Sequence, residues 1–242
     1  MDNNKNYEIQ GSTFTLSNSF MAKVFSWMFI ALGITALTAY LFGTSQELFS
    51  MLIKARPDGS ASMSVLGWIV MLAPLAIVFI MSLGFEKMKA STMMILFIVY
   101  SILMGMSLSF IFMAYTTASI FKTFLITAAT FGVMAVVGFI TDTDLSKLGS
   151  ILLMGLIGII IASLVNMFMG SERLDFIISI IGVLIFTGLT AYDVQKIKQI
   201  GMSEIEADET TRKLAIQAAL SLYLDFINLF IYLLRLFGKG RK

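Results

Sequence analysis

The chain has 242 residues, of which 58% are hydrophobic and only 13% are charged. Ordinary soluble domains are about half apolar and about one quarter charged, so lipid is expected to cover much of this surface. The net charge of +2 without basic clusters argues against a nucleic-acid partner, and the lack of Cys and His removes disulfides, thiolates and the usual general base.

The chain begins with a polar stretch, predicted as an N-terminal tail over residues 1–19, which lacks the basic-then-apolar order of a signal peptide. Seven apolar stretches follow, each close to the ~20 residues that cross a ~30 Å hydrocarbon layer as a helix. We therefore predict an all-α fold, a polytopic membrane protein with a seven-helix bundle over 20–238 and a basic C-terminal tail at 239–242. The predicted spans are 20–42, 64–84, 91–115, 119–140, 149–169, 175–193 and 214–236.

The connections between the spans are mostly short and polar. In the longer connection 43–63, residues 48–53 fit a short interfacial helix. Asp142 and Asp144 have the first D-x-D of a calcium loop, but its sixth-position Gly and acidic twelfth residue are missing. We therefore predict that Asp144 caps the fifth span helix and that Leu145 opens it.

Lysine and arginine are nearly balanced between the two sides of the predicted bundle. Early loops usually dominate orientation, and the basic residues of the connection 194–213 favour the cytoplasm. We predict a cytoplasmic N-terminus and a C-terminus outside. A compact chain without Cys indicates a bacterial inner (plasma) membrane.

Two aspartates lie within the last two apolar stretches. An ionised carboxylate in hydrocarbon costs roughly 2.5–3.5 kcal/mol on insertion scales, which indicates an ion path, a proton switch or a buried pair. Asp225 lies eleven residues from Leu214 and from Leu236, about 16 Å deep, and must face the bundle interior. Asp193 is the last residue of the sixth stretch. The alternative to a buried role for this residue is therefore a solvated position, paired with Lys196 or Lys198.

The surroundings of Asp225 form a polar stripe on the seventh span, since Ser221, Asn228 and Gln217 share its helical face. Such a stripe lines a cavity, a pore or a buried interface. If Asp193 approaches Asp225, the two carboxyl groups would share a proton and hold helices six and seven together. Without the proton they would repel each other and offer oxygens suited to Ca²⁺. A longer or tilted sixth helix is needed to bring them together.

These motifs resemble the Bax inhibitor (transmembrane Bax inhibitor motif) family. Leu220-Ser-Leu-Tyr-Leu-Asp-Phe-Ile-Asn-Leu-Phe is very similar to its C-terminal signature, and Gly188-Leu-Thr-Ala-Tyr-Asp-Val-Gln-Lys-Ile looks like its sixth-helix signature. Weaker matches are Thr141-Asp-Thr-Asp-Leu-Ser-Lys-Leu-Gly and Gly105-Met-Ser-Leu-Ser. The resemblance implies a seven-helix bundle around a central C-terminal helix, with a pH-sensitive calcium leak controlled by Asp193 and Asp225. It also implies a basic partner at the end of the second helix, for which the candidates are Lys87 and Lys89.

The leading functional hypothesis is a passive channel or leak for Ca²⁺, gated by protonation of Asp193 and Asp225, which would also be the calcium ligands. One alternative is a proton-coupled transporter that uses the same acids as a relay. Another is a non-transporting regulator of a membrane protease or of a cell-death pathway, roles that the family resemblance supplies. We expect no enzyme and no cofactor; the partners would be the bilayer, protons, calcium and a membrane protease.

Overall fold

The computed structural model describes residues 2–55, 61–203 and 208–241. Seven helical segments in this part of the chain are long and apolar enough to cross a membrane, as predicted. The prediction of an all-α polytopic membrane protein is therefore confirmed. The spans are Ser17–Thr44, Val65–Leu83, Ala90–Ala114, Thr117–Ile140, Ser146–Met169, Glu172–Met202 and Glu209–Phe237.

The secondary-structure elements are almost all helices, with one short pair of strands. The first helix begins at residue 2, so helix runs through the polar segment that precedes the first span. In chain order the elements are α1 (Asp2–Thr44), α2 (Gln46–Leu52), β1 (Ile53–Ala55), β2 (Ala61–Met63), α3 (Val65–Leu83), α4 (Ala90–Leu108), α5 (Ile111–Ala114), α6 (Thr117–Ile140), α7 (Ser146–Met169), α8 (Glu172–Met202) and α9 (Glu209–Phe237).

The chain divides into two compact units. Unit 1 comprises Met1–Ala22, Thr117–Ile205 and Ser221–Lys239, so it holds α6, α7, α8 and most of α9. Unit 2 comprises Lys23–Thr116, Glu206–Leu220 and Gly240–Lys242. Asp193 and Asp225 both belong to unit 1. The span α9 is the most enclosed of the seven, with 61% of its most apolar window buried against 11% for α7.

In unit 2, the connection after the first span contains a short helix, α2, where the sequence predicted one over residues 48–53. The hydroxyl of Ser45 accepts the Leu48 N–H at 3.4 Å and so caps its first turn. Beyond α2, Ile53 pairs with Met63 in an antiparallel register, which makes a two-stranded hairpin that the sequence did not predict. Ser64 then starts α3, because its hydroxyl accepts the Gly67 N–H at 3.0 Å.

The third span is interrupted, although the sequence predicted one continuous helix over 91–115. Helix α4 ends at Leu108, and the Ser109 hydroxyl donates to the Met106 carbonyl at 2.6 Å. The N–H groups of Phe112 and Met113 bond three residues back, each at 3.1 Å. This tighter pattern is typical of a 3₁₀ turn, so local hydrogen bonding by Ser109 explains the break.

The first turn of α9 in unit 2 holds the connection between the second and third spans. Glu209 Oε1 accepts the Ala90 N–H at 3.1 Å, where α4 begins. The Lys213 ammonium donates to the Phe85 carbonyl at 3.1 Å and lies 5.0 Å from the centre of the Phe85 ring. Helix α9 therefore begins five residues before the predicted span, because its polar first turn satisfies backbone groups elsewhere in the unit.

In unit 1, the N-cap of α7 is Leu145, which has no side-chain cap bond, so Asp144 lies one residue before the capping position that the sequence predicted for it. Asp144 Oδ1 accepts the Ser146 N–H at 2.9 Å, and this bonding with Ser146 holds the pKa of Asp144 below its usual range. The helix begins at Ser146, one residue later than predicted, because Leu145 has a non-helical backbone. At its other end α7 stops at Gly170, whose φ of 61° is a left-handed conformation that favours glycine.

Glycines bring the helices of unit 1 close to α8. A Cβ on Gly138 of α6 would collide with the Ala191 carbonyl, so these two backbones are in direct contact. A Cβ on Gly149 of α7 would lie 2.6 Å from the Tyr192 ring. Since Ala191 and Tyr192 directly precede Asp193, this close packing fixes the segment of α8 that carries the acid.

Candidate functional site

Helix α8 is longer than the predicted sixth span and continues nine residues beyond Asp193, to Met202. The hydropathy pattern ends the span at Asp193 because polar residues follow it. In the structure these polar side chains contact unit 1 itself: Gln195 donates to the Thr143 carbonyl, and the Lys198 ammonium donates to the Phe139 carbonyl, both at 2.8 Å. Asp193 is therefore inside a helix rather than at its end. This longer helix is one of the two changes, length or tilt, that an approach of Asp193 to Asp225 was expected to need.

Asp225 lies midway along α9, sixteen residues after Glu209 and twelve before Phe237, and is only 5% exposed. Its carboxyl group lies within hydrogen-bonding reach of the Asp193 carboxyl group. Among the residues that the structure describes, no donor reaches Asp225 Oδ2. Because an ionised carboxylate has no donor, two carboxyl groups can bond to each other only when one carries a proton.

Ser221, one turn before Asp225, connects α9 to the other acid. Its hydroxyl donates to Asp193 Oδ2 at 2.5 Å. Asn228 follows Asp225 by one turn, and its amide nitrogen donates to the Leu224 carbonyl at 2.8 Å. The structure thus brings three of the predicted residues, Asp193, Asp225 and Ser221, into one contiguous polar cluster.

The alternative pairing of Asp193 with the lysines that follow it is partly present. The charge of Lys196 attracts the Asp193 carboxylate. Lys198 instead points to Phe139, whose ring centre lies 5.2 Å from its ammonium group. Within the described parts of the chain, neither lysine forms a salt bridge with Asp193.

A cavity of about 410 Å³ opens beside the two acids, between α7, α8 and α9 of unit 1. Its lining combines polar side chains of α8 and α9 with apolar side chains of all three helices. The polar lining comprises Tyr192, Asp193, Lys196, Ser221, Asp225, Asn228 and Tyr232; the apolar lining comprises Leu153, Leu156, Ile160, Phe186, Leu189 and Leu224.

The two lysines that the family resemblance suggested as basic partners, Lys87 and Lys89, belong to unit 2 and are exposed. Neither is among the residues that line the cavity. The basic residue of the lining is Lys196, three positions after Asp193 on α8. A Lys one turn from an acid on the same helix is a common ion-pair spacing, which in the sequence predicts only a solvated pair at the membrane boundary.

Tyr192 and Tyr232 also line the cavity but were missed in the sequence. Tyr192 adjoins Asp193 within the sixth-helix motif. Tyr232 lies seven residues after Asp225, so it falls on the same face of α9 two turns later. That seven-residue spacing is the sequence signal that could have identified Tyr232.

Known proteins match this chain along almost its whole length. A family model described as "Inhibitor of apoptosis-promoting Bax1" matches residues 17–242. An uncharacterized protein of Borreliella burgdorferi is 49% identical over 227 residues, which is 94% of each chain. The chain is also 44% identical to the inner membrane protein YbhL of Escherichia coli K12 over 225 residues, 92% of each chain. An uncharacterized protein of Deinococcus radiodurans is 38% identical over 232 residues, 96% of this chain and 95% of the relative.

Proposed function

This chain belongs to the Bax inhibitor family, and we propose that it is a membrane leak for Ca²⁺, gated by a proton shared between Asp193 and Asp225. Its relative in Escherichia coli is named an inner membrane protein, and we assign this chain to a bacterial inner membrane on that likeness. The observation that carries the proposal is the burial of Asp225 against a second acid, midway along a membrane-spanning helix.

The shared proton accounts for the closed state. One ionised carboxylate in hydrocarbon already costs roughly 2.5–3.5 kcal/mol, and a second beside it adds like-charge repulsion. A single proton between Asp193 and Asp225 removes one charge and supplies the hydrogen bond that joins α8 to α9. The Ser221 hydroxyl adds a second bond between the same helices, so the protonated pair favours a closed contact.

Loss of that proton changes both the force between the helices and the chemistry of the cavity. Asp193 and Asp225 then carry two negative charges in contact, which push α8 and α9 apart. Their oxygens, with water, match the hard oxygen ligands that Ca²⁺ takes. The cavity of about 410 Å³ next to the pair supplies room for the ion and its water.

The test is calcium uptake by protein-containing liposomes, followed with an encapsulated dye while the bath is changed from about pH 6 to about pH 8. We expect uptake by the wild type to rise several-fold with pH, because the pair loses its shared proton. Asp193→Asn and Asp225→Asn each remove the partner that shares the proton, so the repulsion between two carboxylates that opens the pair is lost and their uptake should no longer follow pH.

The matched control is Glu172→Gln, which neutralises an exposed acid at the start of the same helix α8. It should retain the wild-type pH profile. Wild-type uptake equal to that of protein-free liposomes at every pH would refute the proposal. So would an Asp225→Asn profile that still follows pH as the wild type does.

A further inference from the structure

Tyr232 lines one end of the cavity along α9, and Ser221 lines the other. Along α9 the lining residues run from Ser221 to Tyr232, eleven positions or about 16 Å of helix. Tyr232 is the last of them. Helix α8 runs antiparallel to α9, as its Asp193 contact with Ser221 and its Phe186 contact with Tyr232 require. Phe186, the first lining residue of α8, therefore lies at the same end.

The Tyr232 side chain contacts the two other helices that form the cavity wall. Its ring stacks on Phe186 of α8, with 5.9 Å between centres and 26° between planes. The ring also covers Gly182, where an added Cβ would lie 2.7 Å from three of its carbons. Its hydroxyl interacts with the Ser163 hydroxyl of α7. One ring from α9 is therefore held against both α8 and α7.

Beyond Tyr232 the surface begins. The Arg235 guanidinium lies 5.6 Å from the centre of the Tyr232 ring and 3.1 Å from Asp175 Oδ1. The two charged side chains are 39% and 46% exposed. Along this face of α9 the order is therefore the acid Asp225, then Asn228, then the Tyr232 ring, then an exposed ion pair.

We propose that Tyr232 is the constriction that separates the acid pair from this end of the helices, so that an ion moving between them must displace its ring. The bare backbone of Gly182 makes room for the ring in the closed position. The inference rests on the proposed calcium leak for the identity of the ion. The barrier itself can be tested without any transport.

The test uses the absence of cysteine from the natural sequence. Asn228→Cys places a single thiol between Asp225 and Tyr232. Its reaction with a positively charged methanethiosulfonate is timed in lipid nanodiscs, with Tyr232 kept or changed to Ala or Phe. We expect slow labelling with Tyr232, labelling faster by on the order of tenfold with Tyr232→Ala, and slow labelling with Tyr232→Phe, whose ring still fills the space.

Two controls keep the result interpretable. Lys239→Cys is exposed beyond the end of α9 and should label at one rate in all three backgrounds. Phe186→Ala removes the stacking partner of Tyr232 and should also speed labelling at position 228, which tests the barrier if Tyr232→Ala does not fold. Equal labelling of Asn228→Cys with and without the ring, whether fast or slow, overturns the inference.

Calcium uptake then separates the two proposals. Faster labelling in Tyr232→Ala together with no calcium uptake in any variant would support the constriction and refute the calcium leak. Unchanged labelling together with pH-dependent wild-type uptake would refute the constriction and leave the leak standing. If both proposals hold, Tyr232→Ala should raise uptake while Tyr232→Phe stays close to the wild type.

Discussion

Gln195 of α8 accepts a hydrogen bond from the Leu145 N–H at 2.8 Å, at the residue directly before α7. The other end of the same amide donates to the Thr143 carbonyl at 2.8 Å. Gln195 is only 7% exposed and lies two residues after Asp193. The connection between α6 and α7 is therefore tied by one side chain to the part of α8 that carries the acid.

Replacing Gln195 with Leu should destabilise the protein. The new side chain has a similar size but leaves the half-buried Leu145 N–H and the exposed Thr143 carbonyl without their partner, a loss of roughly 0.5–1.5 kcal/mol for each hydrogen bond. We expect a lower melting temperature in detergent. The control is Gln199→Leu, one turn later on the same helix, where the side chain is exposed. Equal melting temperatures for the two variants would contradict the role of the Gln195 amide.

Lys196 supplies the positive charge of the cavity lining, so Lys196→Gln should increase calcium uptake at a fixed pH. The ammonium group attracts Asp193 and competes with a cation for the acid pair. Since Lys196 is exposed, we expect an increase of up to about fivefold, as partly solvated charges interact by ~1 kcal/mol or less. Lys196→Arg keeps the charge and should stay at the wild-type rate. A decrease in Lys196→Gln would mean that the lysine helps calcium to enter.

Asp208 caps the start of α9 and should make stability depend on pH. The Thr211 N–H donates to Asp208 Oδ1 at 2.8 Å, which holds the pKa of this carboxyl below its ordinary value of 3.8. A lowered pKa in the folded state means that the charged cap stabilises the fold above about pH 4 and that this contribution is lost as pH falls further. Asp208→Ala should therefore lower the melting temperature more at neutral pH than at about pH 3.

The control for this cap is Asp208→Asn, whose amide oxygen can still accept the Thr211 N–H. It should retain most of the wild-type stability at both pH values. An Asp208→Ala variant with the same loss of melting temperature at neutral and acidic pH would show that the carboxylate charge contributes nothing.

The number of spans was predictable from the sequence because a bilayer imposes a minimum length on every apolar helix. The ends of the helices were not. Helix α8 passes Asp193 because Gln195 and Lys198 find backbone partners in unit 1, and α9 starts early because Glu209 and Lys213 find theirs in unit 2. Hydropathy treats each of these residues as a boundary, since it contains no information on long-range partners.

The candidate site was predictable in part. The depth of Asp225 along its span follows from counting residues, and its polar face with Ser221 and Asn228 follows from helical spacing. The contact with Asp193 depends on which helices are neighbours and in which register, which no local pattern specifies. The contribution of α7 to the cavity wall could not be predicted either. In the sequence, Leu153, Leu156 and Ile160 have the pattern of ordinary lipid-facing residues, and only the packing of the helices places them beside the cavity.

Orientation remains a prediction that a reporter can test. An odd number of complete spans puts the two ends of a chain on opposite sides of the bilayer, and the basic residues favour a cytoplasmic N-terminus. Alkaline phosphatase fused after the C-terminal tail should therefore be active, and green fluorescent protein at the same position should be dark. The same two reporters at the N-terminus should give the opposite pattern. A fluorescent C-terminal fusion would contradict the predicted orientation.

Gly138→Ala should disturb the site from a distance. The added Cβ would collide with the backbone of Ala191, which cannot move aside as a flexible side chain can. Overpacking typically costs about 1–3 kcal/mol. If α8 shifts to relieve the collision, Asp193 moves with it, because it lies only two residues after Ala191. We expect a lower melting temperature and a weaker pH dependence of calcium uptake. Gly132→Ala on the same helix meets nothing within 4 Å, so it should be neutral or slightly stabilising, by up to about 1 kcal/mol. Equal behaviour of the two alanine variants would show that the contact between α6 and α8 does not position the acid.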